Sequence, residues 1–397
     1  MFINPPLITE LMDGELIAAG IFYGVLAIII YLNRKKFTWM QGIIYAFKTK
    51  RPLKWMDKLR PNNIFWKIFG TFCIPLGFYY MPQLIYLLGQ KAIEIILNPA
   101  SSAGVALAIP GVRIPGSPIY IPLLYGVVSI GVLAFVHEMA HGIIGKSEGI
   151  KIKSSGFGMF LIFPLFFVEP DEKSLVKASK LSRLRMLSAG AGANISLSFI
   201  LFLIASFTFV PFFIDNTVYK GLSVNSLVED YPAIQANITT NTVITGINGF
   251  ETLNLTGFTK VMRTIEPGTV ITLNTNQGDF ELTTVTNPQN DSLSYLGVFL
   301  DEVIEFSDKA KINYGETILW LIRVIYDLLL WIGFLNLSIG VMNLLPIWGL
   351  DGSKMLYDLL SYVVKEKHAR TIVSIASSLS IGLLIVNIAP VFINLFA

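Results

Sequence analysis

The sequence predicts a polytopic α-helical membrane protein with about six transmembrane helices, a membrane-associated β-hairpin and an inserted small β-rich domain. Hydrophobic residues make up 53% of the 397 residues and charged residues only 14%, whereas soluble domains carry about 25% charged residues. Apolar runs long enough to cross a bilayer recur along the chain. One Thr- and Asn-rich stretch interrupts these runs.

Each predicted span is a run of roughly 20 mainly apolar residues, the length that the hydrocarbon core of a bilayer requires. The six runs are 15–32, 64–89, 120–145, 184–212, 316–345 and 370–396. The residues before the first run contain acids and no Lys or Arg, unlike the basic start of a signal peptide. We therefore interpret the first run as a retained membrane anchor.

Basic residues predict the orientation of these spans. Lys and Arg dominate residues 34–60, where the only acid is Asp57, and they also precede the fourth and sixth spans. Cytoplasmic loops carry an excess of Lys and Arg. All three basic stretches therefore fall on the cytoplasmic side of the cell membrane if both termini lie outside. A Pro/Gly/Ser-rich segment, 98–118, is then an external loop.

Two segments have a β pattern. Residues 150–169 begin with alternation, break at Ser154-Ser155-Gly156 and contain Pro164, which predicts a membrane-associated hairpin. Short alternating apolar runs and turns such as Asn248-Gly249 predict a small β-rich domain outside the cytoplasm. The predicted domains are 1–214 (N-terminal membrane region), 215–305 (β-rich domain) and 306–397 (C-terminal membrane region).

The motif with the clearest chemistry is His137-Glu138-Met139-Ala140-His141 in the third span. Positions i and i+4 of a helix share a face, so both imidazoles can reach one Zn²⁺. Glu138 can take a proton from water and pass it to a leaving amine. Each ionisable residue costs roughly 2.5–3.5 kcal/mol inside a membrane helix, which favours a functional site over polar residues that only bond to neighbouring helices.

A catalytic zinc typically has three protein ligands and one open position. The only cysteine, Cys73, lies in an apolar stretch and cannot build a thiolate cage. Asp351 is the favoured third ligand because Pro346 and Gly349 interrupt the fifth span just before it, at the predicted depth of the histidines. A helix-capping role for Asp351 and two competing acids, Asp327 and Glu169, remain open alternatives. His368, the only other histidine, is not favoured as a ligand because it lies in a predicted solvated loop.

The segments HEMAH (137–141) and NLLPIWGLDG (343–352) together resemble the site-2 protease family of intramembrane zinc metalloproteases, of the prokaryotic type with one PDZ domain. In that family the Asp of the second segment is the third zinc ligand, which implies Asp351. A third family element, Gly-Pro-x-x-Asn, resembles residues 190–194. Gly190 and Asn194 match, but Ala191 replaces the proline, which implies a straighter helix. The resemblance covers most of the chain.

The stretch 219–251 is similar to a PDZ domain. This resemblance implies that Lys220 and the residues Gly221, Leu222, Ser223 and Val224 form a carboxylate-binding loop. A strand edge would follow the loop and pair with an extended peptide, such as a protein C-terminus.

The family resemblance implies a metalloendopeptidase with one zinc per chain, Glu138 as the catalytic base and transmembrane proteins as substrates. Asn194 and Asn343 are expected to stabilise an oxyanion or orient substrate, with helix–helix hydrogen bonding as the alternative. A substrate helix has to unwind before cleavage, and the extended segment is expected to add to the hairpin at 150–169.

A second class of function is a zinc-binding membrane scaffold or transporter without hydrolysis. A metal transporter is expected to carry several acids and histidines along a path through the membrane, whereas here two histidines form one tight pair around a base. The net charge of +3 is too small to indicate a nucleic-acid partner.

Overall fold

The computed structural model of this protein describes residues 6–36, 38–40, 44–59, 64–98, 101–160, 163–288 and 290–396. The chain divides into two compact units, one of residues 1–14 and 207–324, the other of residues 15–206 and 325–397. Parts of three predictions lie outside the described residues: Arg60 of the first basic stretch, 99–100 of the external loop and 161–162 of the hairpin.

Helices account for most of the described chain. They are α1 (Pro6–Leu32), α2 (Arg51–Lys58), α3 (Ile64–Leu97), α4 (Leu123–Ser147), α5 (Glu172–Lys177), α6 (Lys180–Ile204), α7 (Val210–Asn216), α8 (Pro232–Gln235), α9 (Leu255–Met262), α10 (Asp308–Tyr314), α11 (Glu316–Met342), α12 (Asp351–Leu360) and α13 (Glu366–Phe396). A 3₁₀ turn covers Arg34–Lys36, and a π-helical turn, Ala205–Phe209, connects α6 to α7.

The strands are β1 (Thr38–Met40), β2 (Ile44–Thr49), β3 (Ile152–Phe160), β4 (Phe163–Pro170), β5 (Thr217–Leu227), β6 (Val243–Ile247), β7 (Phe250–Glu251), β8 (Val270–Thr275), β9 (Gly278–Thr283), β10 (Val285–Asn287), β11 (Asn290–Tyr295) and β12 (Val298–Phe306). They fall into a four-stranded sheet ordered β1-β2-β3-β4, a β10-β11 pair and a larger sheet ordered β12-β5-β6-β8-β9, with β7 paired to β6.

Within the described residues, six helical segments are long and apolar enough to cross a membrane, so the prediction of about six spans is confirmed. They are Gly14–Leu32, Ile64–Leu97, Leu123–Ser147, Lys180–Asn216, Glu316–Met342 and Glu366–Asn394. The fourth consists of α6, the π-helical turn and α7. The fold is therefore a polytopic helical membrane protein with an inserted β-rich domain, as predicted.

Small residues bring the central helices α3, α4 and α6 together. Ala140 and Ile144 of α4 are buried against Met186 and Ala189 of α6. A Cβ atom at Gly192 would lie 2.3 Å from the sulfur of Cys73, so the approach of α6 to α3 requires a glycine. Cys73 is fully buried, which fits its role as a small apolar residue.

The predicted hairpin is confirmed as β3 and β4, which pair antiparallel. The sequence did not predict β1 and β2, which extend this sheet on the far side of β3. Lys48 of β2 pairs with Gly156 of β3, and a Cβ atom at Gly156 would lie 2.1 Å from the Phe47 carbonyl oxygen. The break seen in the sequence at Ser154-Ser155-Gly156 is therefore a close contact between strands.

Strand β4 is the edge of this sheet as far as the described residues show. Val168 pairs with Ser155 but donates its N–H to a helix, so it occupies a non-hydrogen-bonded pair of the ladder. Because the pattern repeats every two residues, the backbone groups of Phe166 and Pro164 also face outward. Proline lacks an N–H and is tolerated at such an edge position.

The inserted domain has its own apolar core, in which Leu222, Ile244, Ile247 and Leu273 are fully buried. Its regular elements run from Thr217 to Phe306. The domain boundaries at 214/215 and 305/306 stay predictions.

The prediction of a carboxylate-binding loop at residues 220–224 is wrong. Gly221, Leu222, Ser223 and Val224 lie within β5, which pairs with β12 on one side and β6 on the other. All four are buried, and their backbone groups belong to the interior of a sheet. Among the described strands, the edge of the sheet next to β5 is β12. A cavity of about 200 Å³ lies among β12, α9 and the β10-β11 pair and is lined by Met262, Arg263, Ser294 and Val298, among others.

Candidate metal centre

Helix α4 carries the two predicted histidine ligands on one face. The Nε2 atoms of His137 and His141 lie 3.1 Å apart, and each residue is only 8% exposed. Their spacing of one helical turn brings both rings to the same point. The predicted pairing of these residues is therefore present in the structure.

Asp351 comes to the same point from another helix. Its Oδ2 lies 3.2 Å from Nε2 of His137 and 2.9 Å from Nε2 of His141, across 214 and 210 residues of chain. Asp351 begins α12 and is 8% exposed. The capping role considered for Asp351 is replaced by this contact with both histidines.

The turn before α12 depends on glycines. Gly349 has φ +103°, a conformation that a side chain would strain. The N–H of Gly352 donates a 2.9 Å hydrogen bond to the carbonyl of Asn343. A Cβ atom at Gly352 would lie 2.0 Å from the carbonyl oxygen of Leu344. The Leu-Asp-Gly sequence therefore lets the chain fold back tightly and present Asp351.

An ion pair holds α12 against α6. Arg183 donates from Nη2 to Oδ1 of Asp358 at 2.6 Å and from Nε to Oδ2 at 3.0 Å. The Asp358 side chain is only 6% exposed. In the sequence, Arg183 appeared only as part of a basic stretch. Its ion pair with Asp358, which joins α6 to α12, was therefore not predicted. The available signal in the sequence was the acid Asp358, seven residues after Asp351 (358 − 351).

The three ligand atoms fit a single metal ion. Tetrahedral Zn²⁺ with bonds of about 2.0–2.1 Å places its ligand atoms about 3.3 Å apart, close to the separations given above. Among the described residues, His137, His141 and Asp351 are the group able to hold a metal. The donor set of two imidazoles and one carboxylate matches catalytic zinc sites.

Hydrogen bonding also favours a cation at this point. Nδ1 of His141 lies 2.7 Å from the carbonyl oxygen of Met186, which can only accept, so this nitrogen carries a proton. In its neutral form, His141 then turns the lone pair of Nε2 toward Asp351. A cation between these acceptor atoms removes their mutual repulsion.

Asn194 lies behind His137. Its fully buried side chain places Nδ2 3.3 Å from Nδ1 of His137, while its Oδ1 has no hydrogen-bond partner. Rotating the amide by half a turn lets Oδ1 accept a hydrogen bond from Nδ1–H of His137, the arrangement needed when Nε2 binds a metal. Asn194 therefore contacts His137 on the opposite side of the ring from the cluster.

Gly190 forms the floor of the cluster. A Cβ atom at this position would lie 2.4 Å from Nε2 of His141 and 2.7 Å from Nε2 of His137. The match of Gly190 and Asn194 to the family element thus has a physical reason. Both residues lie one turn apart on α6 and shape the space around the histidines.

Glu138 is fixed by the hairpin. Its Oε2 accepts a 2.7 Å hydrogen bond from the backbone N–H of Val168 in β4. One carboxylate oxygen is therefore anchored. The sequence placed Glu138 beside the histidines but gave no sign of this backbone donor, because a main-chain group leaves no residue signature.

The rival ligands lie elsewhere. Glu169 accepts from Ser154 and pairs with Lys48 at 2.9 Å, and these contacts lower the pKa of its carboxyl group. His368 is exposed in the first turn of α13. Asp327 is not a member of the metal-binding group. Asn343 contacts the site region through its backbone, and its predicted substrate role stays a prediction.

Comparison with known proteins agrees with the site. The model of peptidase family M50 matches residues 125–387, which include the segments that carry His137, His141 and Asp351. An uncharacterized protein of Methanocaldococcus jannaschii is 27% identical over 347 residues, which cover 86% of this chain and 84% of that protein.

Among solved structures, the PDZ domain of the SdrC-like protein from Listeria monocytogenes is similar to 21% of this chain and is covered over 90% of its length. The identity is 19% and the TM-score 0.19. The matched family model covers most of the chain, including α4, α6 and α12 with their site residues. This multi-pass membrane protein belongs to peptidase family M50, the site-2 protease family.

Proposed function

We propose that this chain is an intramembrane zinc metalloendopeptidase, which hydrolyses peptide bonds of membrane-spanning proteins in regulated intramembrane proteolysis. The observation that carries this proposal is the convergence of His137, His141 and Asp351 from two helices, with Glu138 beside them. Membership of a peptidase family supports it.

His137, His141 and Asp351 would hold the zinc ion, one per chain. When bound, zinc lowers the pKa of water and polarises a carbonyl group. Met186 and Asn194 fix the orientation of the two imidazoles from behind. Lys354 lies 3.4 Å from the second oxygen of Asp351, so the carboxylate has a partner on each side.

Glu138 acts as the general base. It takes the proton of the attacking water and delivers it to the amine that leaves. The hydrogen bond from Val168 holds one oxygen of Glu138 and leaves the other free for this transfer. Asn343, at the start of the Leu-Asp-Gly turn, orients the substrate or stabilises the oxyanion.

The substrate reaches the site in extended form. A transmembrane helix hides its peptide bonds in its own hydrogen bonds and has to unwind locally. The outward N–H and C=O of Phe166 on edge strand β4 offer a place for the unwound segment to pair. This edge leads directly to Val168 and Glu138.

The enzyme is oriented in the cell membrane with both termini and the inserted domain outside. The excess of Lys and Arg in residues 34–60 supports this orientation. His137 and His141 lie near the end of α4 that leads into the basic side, so the active site faces the cytoplasm.

A second binding role is favoured by the edge strand β12. We place the peptide site of the inserted domain between β12 and α9, where an extended C-terminal peptide pairs with β12 and its last side chain fills the cavity. Arg263 supplies positive charge at this cavity. Peptides with a free carboxylate should bind more tightly than their amides, and Arg263→Ala should remove the difference.

The competing proposal is an inactive zinc-binding scaffold or a transporter. The test is cleavage of a single-span substrate in proteoliposomes, with zinc content measured on the same sample. His141→Ala should lose both zinc and cleavage, whereas His368→Ala changes the exposed third histidine and should lose neither. Wild-type protein that contains zinc but releases no product would favour the scaffold.

A further inference from the structure

A cavity of about 220 Å³ lies between α1, α4 and the hairpin. Its walls include Val127, Ile130 and Gly131 of α4 and the rings of Phe157 and Phe166. A Cβ atom at Gly131 would meet nothing within 4 Å, so this glycine opens the wall of the cavity. The proposed chemistry does not use this space.

The cavity is close to the candidate active site along two separate elements. Gly131 precedes Glu138 by seven residues (138 − 131), which is about two helical turns and 10.5 Å on the same face of α4. Phe166 precedes Val168 by two residues, about 6.6 Å along β4. The two elements meet again at the hydrogen bond between Val168 and Glu138.

The register of the hairpin determines which side chain would enter the cavity. Phe157 and Phe166 are directly opposite each other, and their ring centroids are 5.7 Å apart in an edge-to-face arrangement. Directly opposite residues in a sheet point to the same face. A residue of an added strand that lies opposite Phe166 therefore directs its side chain to the face of these two rings, where the cavity lies.

Size and chemistry define the side chain that fits. A cavity of about 150 Å³ with apolar walls accommodates benzene, so this cavity has room for Phe, Leu or Met. The hydroxyl of Tyr23, which also lines it, donates to the carbonyl of Pro110 at 3.2 Å. Its walls therefore offer little to a charged group, whose burial without a partner is costly.

We propose that this cavity is a substrate subsite that binds a large apolar side chain. The side chain belongs to the substrate residue opposite Phe166, two residues along the substrate strand from the residue beside Val168 and Glu138. The proposal rests on the proposed function, because it requires a substrate strand on β4. It predicts a preference at one position on one side of the scissile bond.

Cleavage of matched substrates tests the subsite. A single-span substrate is made with Phe or Ala at each position near the cut. Wild type should cleave the Phe form at least about tenfold faster at one position, since one methylene in a pocket is worth about 10- to 200-fold. Gly131→Leu fills the cavity and should bring the Phe/Ala ratio near or below one, whereas Gly89→Leu, in open space on α3, should keep it.

A Phe/Ala cleavage ratio in Gly131→Leu equal to that of wild type would overturn the proposal. The cavity would then be assigned to lipid rather than to substrate. Crosslinking separates this result from failure of the proposed function. A photoreactive phenylalanine is placed in the substrate at the preferred position, or at each position in turn if nothing is cleaved. It should crosslink to α4 or β4 of the Glu138→Gln variant. It should not crosslink there in the double variant Glu138→Gln/Gly131→Leu. Crosslinking without any wild-type cleavage would contradict the protease alone, and crosslinking elsewhere would contradict the subsite.

Discussion

The backbone N–H of Val168 donates a 2.7 Å hydrogen bond to Oε2 of Glu138. This contact joins the edge strand of the hairpin to the proposed general base. A strand that pairs with β4 therefore adds to the element that orients the base. In the proposed function, binding of substrate on β4 and positioning of Glu138 are therefore connected through the backbone N–H of Val168.

Val168→Pro removes this donor. The ladder of the sheet loses no hydrogen bond, because position 168 has the same outward register as Pro164. General bases contribute about 10²- to 10⁴-fold, and we expect kcat to fall about tenfold to 100-fold with zinc content unchanged. Val168→Ala keeps the N–H and serves as the control. Equal kcat values in the two variants would show that the hydrogen bond does not orient Glu138.

Asn194→Ala tests the orientation of His137. Groups that orient a metal ligand are worth about 10- to 100-fold in metal affinity, so zinc should bind more weakly by that factor. Competition with a chromophoric chelator measures the affinity. Ser198→Ala, one turn further along α6 and also buried, is the matched control. Unchanged zinc affinity in Asn194→Ala would contradict this orienting role.

Gly190→Ala should abolish zinc binding, because its Cβ atom would lie 2.4 Å from Nε2 of His141. An effect of at least about 100-fold on zinc affinity is expected, beyond that of an orienting group. Gly89→Ala introduces the same methyl group on α3 where nothing lies within 4 Å, and it should retain zinc. Normal zinc content in Gly190→Ala would contradict the position of α6 against the two histidines.

Arg183→Met should loosen α12 and, with it, Asp351. Breaking a buried ion pair costs about 3 kcal/mol in unfolding free energy, measurable by denaturation in detergent. The double variant Arg183→Met/Asp358→Leu leaves no unpaired charge and should recover much of the stability. If the single variant has wild-type stability and zinc affinity, the ion pair does not hold the ligand helix in place.

The sequence predicted elements whose signal is local. The spacing of His137 and His141 follows from one helical turn, and the six spans follow from apolar length. Asp351 was favoured by the interruption of the fifth span and by the family resemblance, but no local pattern reports its contact with the histidines across 210 residues. Strands β1 and β2 lie in a basic segment without clear alternation, and their pairing with β3 depends on a distant part of the chain.

The error at residues 221–224 has a similar cause. A Gly-Leu-Ser-Val sequence is compatible with a binding loop and with a buried strand, and only the pairing of β5 with β12 and β6 decides between them. The sequence singled out Asn194 as a site residue. Its contact with Nδ1 of His137 could not be predicted, because it depends on how α6 packs against α4. Neighbours in space, rather than residue types, determine these roles.

The most direct test of the account is Glu138→Gln, assayed for zinc and for cleavage in the same preparation. Glutamine keeps the shape and can still accept from Val168, but it cannot take a proton. The account predicts one zinc per chain, as in wild type, and a loss of cleavage of a co-reconstituted membrane-spanning substrate of at least about 100-fold. Cleavage at the wild-type rate by the zinc-loaded variant would contradict it.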